Sequence, residues 1–133
     1  ENPDDARVIL ALGRALTAAK EYEPAAALFE KGRKAAPEGD WLPELARLYA
    51  ILEKTGPLAN VLAAMAAADP DEFPARLRLA QLKFAADAPV AERYAREALR
   101  LDLASAAARE VLLAALRAQG KADEADRVSS RFE

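Results

Sequence analysis

The sequence predicts an all-α fold, a right-handed superhelical α-solenoid of about four helix–turn–helix units. Three observations predict it. First, hydrophobic residues make up 53% of the 133 residues while aromatics make up only 6%. The apolar content is therefore largely alanine and leucine, which favour helix and let helices approach closely. Second, two sets of prolines recur with one period. Pro3, Pro37 and Pro70 lie 34 and 33 residues apart, and Pro24, Pro57 and Pro89 lie 33 and 32 apart. Proline in a first helical turn forfeits no hydrogen bond, whereas proline after a helix stops it. Third, apolar stripes at helical spacing fill the intervals between these prolines.

The units follow in order. The first helix is expected over roughly Asp5 to Ala19, with Asp4 or Asp5 as N-cap. Ile9, Leu12, Gly13 and Leu16 form its buried face. After a break at Lys20–Pro24, a second helix is expected from Pro24 to Ala35, burying Ala25, Leu28, Phe29 and Gly32. Glycine inside a helix costs about 1 kcal/mol against alanine, so Gly13 and Gly32 predict close approach of a neighbour. The second unit begins at Asp40, and Trp41, Leu42, Leu45, Ala46 and Tyr49 repeat the stripe. Trp41 reads as a packing residue at a helix start. Gly56-Pro57 is expected to end one helix and open the next, Leu58 to Ala68, which carries no charge. The third unit places Leu77, Ala80, Leu82 and Phe84 on its first helix, then Val90, Ala91, Tyr94, Ala95, Ala98 and Leu99 on its second. The fourth has Val111, Leu112, Ala115 and Leu116, a turn at Gly120-Lys121, and a final helix from Ala122 to about Arg131 with Ala125 and Val128 inward.

This register resembles the tetratricopeptide repeat (TPR), a helix–turn–helix unit of 34 residues. Leu12-Gly13, Leu16, Ala25, Phe29, Gly32 and Pro37 match its pattern in the first unit. Leu45-Ala46, Tyr49, Leu62 and Pro70 do so in the second, and Leu79-Ala80 and the run Ala98–Asp102 in the third. Leu103 stands where the closing proline is expected, and the third unit is one residue short. Leu112-Leu113, Leu116, Gly120 and Glu124-Ala125 continue the pattern. On this reading residues 1–133 form one TPR-like domain, with repeats at approximately 6–38, 39–72, 73–105 and an incomplete 106–133. Asn2-Pro3-Asp4-Asp5 matches the close of a preceding unit, and Glu133 falls before the last unit would finish. The chain reads as an excerpt of a longer protein.

The resemblance implies a protein–protein interaction or scaffolding module that binds a peptide segment in the concave groove lined by first helices. Carried over by position, the groove residues are Arg7, Leu10, Arg14, Arg47, Arg78, Gln81, Phe84 and Arg117, accompanied by Thr17, Glu44, Ile51, Leu77, Glu110 and Ala114. Arg14 and Arg47 hold the same repeat position. Two readings fit them: a row of guanidinium groups that takes carboxylates bidentately, or arginines that solvate the inner face and pair with nearby glutamates. The family's clamp for a C-terminal carboxylate uses lysine and asparagine. Leu10 and Arg14 stand there instead and Arg78 is the one match, so that mode is not implied. The expected partner is a protein or peptide, acidic or intramolecular. The uncharged stretch Leu58–Ala68 offers either a self-association patch or a plain alanine-rich helix. The alternative function is a non-catalytic accessory or oligomerisation region of a larger enzyme or assembly.

Chemistry is sparse. Cysteine and histidine are both absent, which removes the thiolate nucleophile, the Cys-based zinc site and the commonest general base. No catalytic residue, metal site or cofactor is expected. The acid clusters Asp69/Asp71/Glu72 and Asp123/Glu124/Asp126 fall in turns and first helical turns, where carboxylates cap helices. A net charge of -3 gives the whole molecule no electrostatic case for binding nucleic acid. No run reaches the roughly 18 apolar residues of a membrane span. The sequence does not indicate a compartment.

Overall fold

The computed structural model describes residues 5–131 and is entirely helical there. Asn2, Pro3, Asp4 and Glu133, on which the readings of the chain ends rest, lie outside the described residues. The helices are α1 (Ala6–Ala18), α2 (Tyr22–Ala35), α3 (Leu42–Ile51), α4 (Thr55–Ala68), α5 (Phe73–Lys83), α6 (Ala88–Leu101), α7 (Ala106–Ala118) and α8 (Ala122–Ser130). Two compact units divide them, Glu1–Val61 and Leu62–Glu133, and the division falls inside α4.

In the first unit α1 packs on α2 and α2 on α3. Asp5 caps α1 by accepting the Arg7 N–H at 2.8 Å. Ile9, Ala25, Phe29, Leu45 and Val61 are fully buried. Gly13 and Gly32 have the packing role that their positions demand. A Cβ on Gly13 would stand 2.4 Å from the Phe29 ring, and one on Gly32 would stand 2.5 Å from the Trp41 ring. Trp41 is itself 2% exposed. Its indole Nε1 donates to the Ala36 carbonyl at 2.6 Å, and its ring tilts against Phe29 with centroids 6.3 Å apart. Tyr49 is buried and donates its hydroxyl to Glu30. Burial, and then the Glu30 carboxylate, push the phenol up to about 12.

In the second unit α5 packs on α6 and α7, α6 on α7, and α7 on α8. Its core is small-residue rich: Ala80, Ala95, Ala98, Ala108 and Ala125 interleave with Leu99, Leu112, Leu116 and Val128. Glu72, Asp87 and Ser105 cap α5, α6 and α7 by accepting the N–H groups of Ala75, Val90 and Ala108. Alanine contacts bring helix axes close, and the caps supply partners for the orphan N–H groups at each helix start.

Three hairpin turns share one geometry. After α1, α3 and α7 the chain enters the left-handed region at Lys20 (φ 64°), Glu53 (φ 56°) and Gly120 (φ 76°). In each, the next residue returns its N–H to the helix: Glu21 to Leu16, Lys54 to Tyr49 and Lys121 to Leu116. These are Schellman closures, with the glycine place taken by lysine and glutamate in two of the three. The α5–α6 turn is one residue longer and has no left-handed residue. There Ala86 and Asp87 both donate to the Lys83 carbonyl.

Several expectations need correction. Leu12 is 53% exposed rather than part of the buried stripe. The packed line of α1 runs through Ile9 and Gly13, and Leu12 lies about 100° round the helix from Gly13. Helix α2 starts at Tyr22, so Pro24 is its third residue. Gly56 does not break the chain between α3 and α4. It lies in the first turn of α4, and the reversal occurs at Leu52–Lys54. Phe84 is not within α5 but is its C-cap. In the uncharged stretch Leu58, Val61, Leu62 and Ala66 are buried, and the exposed positions are Asn60, Ala67 and Ala68. That face therefore presents no large apolar side chain.

Candidate functional site

The first-helix residues of the first unit are ordered around one carboxylate. Glu44, in the first turn of α3, accepts Arg14 Nε from α1 at 2.7 Å and Arg47 Nη1 from one turn further along α3 at 3.1 Å. The carboxylate is well covered, with its side chain 12% exposed, while the two arginines are 59% and 63% exposed. Each guanidinium engages Glu44 through one nitrogen, so the cluster keeps a net positive charge and outward N–H donors. Of the two readings of these arginines, pairing with a nearby glutamate is thus present in the structure. Arg7 is exposed and reaches back to the cap residue Asp5 at 3.4 Å. Leu10 is half-buried.

The second unit brings four of the expected groove residues together. Gln81 and Phe84 from α5 and its cap, with Glu110, Val111 and Ala114 from α7, line a recess of about 270 Å³. Phe84 is 37% exposed there. Arg78 and Arg117 are exposed on the same helices but do not line the recess.

No family model matches the chain, and no curated protein matches it. Solved structures do. MamA (AMB-1) superposes with a TM-score of 0.81 at 22% identity, over 95% of this chain and 70% of that one. A MamA fragment from Desulfovibrio magneticus RS-1 gives 0.70 at 18% identity, over 96% of this chain and 73% of that one. A tetratricopeptide repeat protein from Parabacteroides merdae ATCC 43184 gives 0.71 at 19% identity. The match covers 96% of this chain and half of that one. The fold is of the tetratricopeptide repeat type.

The tetratricopeptide frame also holds two polar networks that the sequence did not single out. Arg76, on α5, is 11% exposed and uses all three of its guanidinium nitrogens. Nε meets Glu97 at 2.8 Å, Nη1 donates to the Asp69 and Glu72 carbonyls, and Nη2 donates to Ala66. It therefore closes the C-terminal end of α4 and ties the start of α5 to α6. Glu92, on α6, accepts from Arg96, Gln119 and Lys121 at 2.9, 2.9 and 3.1 Å, and Arg96 continues to Glu124 at 2.7 Å. Burial alone would raise the Glu92 carboxyl, but the hydrogen bonds from Arg96, Gln119 and Lys121 outweigh it and hold it at about 2. These are fold-holding networks. A sequence signal existed only for Glu92–Arg96, an i,i+4 pair.

The acid clusters likewise serve backbone and partners. Asp69 accepts the Asp71 N–H, Glu72 caps α5, and Glu124 pairs with Arg96. Among the described residues no group of three or more His, Cys, Asp or Glu could hold a metal ion. Among the described residues no helix is long and apolar enough to cross a membrane.

Proposed function

We propose that this chain is a protein–protein interaction module, a scaffold that displays its first-helix faces to a peptide segment of another protein or of the same polypeptide. The observation that carries the reading is the recess between α5 and α7, where the half-open Phe84 ring lies beside Gln81, Val111 and Ala114. An aromatic ring with polar neighbours in a shallow cleft suits an inserted side chain, because burial supplies affinity and the polar edge supplies orientation. In the first unit, Arg14 and Arg47 are held in place by Glu44 and keep outward donors. They suit a carboxylate on the bound segment, since part of their ordering cost is already met in the free protein. Arg7, Leu10, Arg78 and Arg117 take supporting positions on the same helix faces.

The test is capture of partners from the native extract by the wild-type chain, by Phe84→Ala, and by the double variant Arg14→Glu/Arg47→Glu. The double variant surrounds Glu44 with like charge. Reduced capture of the same partners by both variants is expected. Equal capture by all three proteins overturns the reading.

A further inference from the structure

A second open groove shares no residue with the Phe84 recess. Its volume is about 690 Å³, and its floor is Leu99 of α6, Leu112 of α7 and Val128 of α8. Leu103, in the α6–α7 connection, forms one wall and is 67% exposed, more than any other large apolar side chain among the described residues. Arg96, Arg100 and Arg131 rim the groove, and no carboxylate among the described residues lines it. Arg96 is engaged by Glu92 and Glu124. The side chains of Arg100 and Arg131 have no partner among the described residues.

Leu103 makes this groove specific to its repeat. The corresponding places after α2 and α4 are Pro37 and Pro70. Here α6 stops without a proline, because Asp102 adopts an extended conformation and its carboxylate accepts the Ala104 N–H at 3.1 Å. Ser105 N–H returns to the Asp102 carbonyl at 3.2 Å. The turn is thereby closed on itself and holds an exposed leucine in place, although packing within the fold does not require one. An exposed large apolar residue on a fixed turn, beside two cations that have no partner among the described residues, is a binding feature rather than a folding feature.

We propose that this groove docks an acidic amphipathic helix of a partner protein. A floor built from three helices leaves the trough that a further helix fills by ridges-into-grooves packing. The leucine-type stripe of the incoming helix covers Leu99, Leu103, Leu112 and Val128. Its flanking Asp or Glu side chains meet Arg100 and Arg131 in charge-assisted pairs. The whole protein carries net negative charge, so a local pair of guanidinium groups, Arg100 and Arg131, without an acid partner among the described residues selects against basic helices by leaving its own cations unpaired.

The experiment is a display selection of helical peptides about 16 residues long, roughly 24 Å as a helix, against the wild-type chain. The enriched peptides are expected to carry large aliphatic residues at i, i+3 or i+4, and i+7, with Asp or Glu beside them. Arg100→Glu/Arg131→Glu should weaken their binding by about tenfold or more, and Leu103→Asp should abolish it. Phe84→Ala should leave it unchanged, which separates this surface from the first-helix face. All four substituted positions are exposed, and far-UV melting of each variant confirms the fold. Enrichment of basic or non-amphipathic peptides, binding that survives Leu103→Asp, or no enrichment overturns the proposal. So does a concentration-dependent dimer abolished by Leu103→Asp, because a second copy would then be the occupant.

Discussion

Gly32→Ala tests the packing logic of the first hairpin most directly, because two physical terms of opposite sign meet there. Alanine in a helix interior is favoured over glycine by about 1 kcal/mol. Against this, the added Cβ would lie 2.5, 2.6 and 2.9 Å from Cη2, Cζ3 and Cζ2 of Trp41, about 1 Å inside ordinary carbon–carbon contact. The indole cannot yield easily. It is 2% exposed, its Nε1 is tied to the Ala36 carbonyl, and a Cβ on Gly39 would stand 2.5 Å from its other side. Overpacking of this kind costs about 1–3 kcal/mol, and more if the ring is expelled. The net expectation is a destabilisation of about 1–2 kcal/mol, or several degrees in Tm for a chain of this size. Gly56→Ala is the control: it is the same chemical change in α4, where no described atom lies within 4 Å of the added Cβ. It should be neutral or stabilising by up to about 1 kcal/mol. Urea unfolding followed by far-UV circular dichroism and by emission of Trp41, the single tryptophan, measures both. A Gly32→Ala protein as stable as Gly56→Ala, with unshifted Trp41 emission, refutes the reasoning.

Three further outcomes follow from the networks and turns. The Glu92 carboxyl is depressed from 4.5 to about 2, so its contribution is complete above about pH 4.5. It is lost as the pH falls through the folded value, and it amounts to at most about 3 kcal/mol. Glu92→Gln should remove that part of the acid dependence, and an acid-unfolding curve parallel to wild type would contradict the assignment. Arg76→Ala should cost about 3–5 kcal/mol by leaving Glu97 and the Ala66, Asp69 and Glu72 carbonyls without their donor. Arg76→Lys should recover only a fraction, since an ammonium cannot span the same fork, and full recovery in a thermal melt counts against the geometry. Lys20→Gly should stabilise by up to about 1 kcal/mol by relieving a left-handed lysine at the α1 closure, and a lower Tm would show that the turn does not hold that conformation in solution.

Much of the hairpin plan was legible because it is encoded locally. Proline stops, cap residues and apolar stripes act within one or two turns, and Asp5, Gly13, Phe29, Gly32 and Trp41 behave as their spacing implies. The turns were less legible. Gly56 looks like a break but lies within α4, whereas Lys20 and Glu53 adopt the left-handed conformation that glycine usually marks. There the Schellman hydrogen bonds override residue preference, since two backbone bonds outweigh about 1 kcal/mol of strain.

The candidate sites divide in the same way. Repeat register alone brought Gln81, Phe84, Glu110 and Ala114 into one list, because equal positions on successive first helices face the same way, and these four line one recess. Register could not show that Arg14 and Arg47 converge on Glu44, nor that Arg76 gathers three carbonyls. Those partners lie up to 30 residues apart, and side-chain reach is set by how the helices are packed. What the sequence determined by itself is therefore the all-helical repeat and the residues that let its helices touch, because periodicity and capping are short-range. The tertiary structure alone decided which charges are spent on the fold and which remain free, and that Leu12 and Leu103 stand exposed, because burial and ion pairing depend on neighbours brought together across the chain.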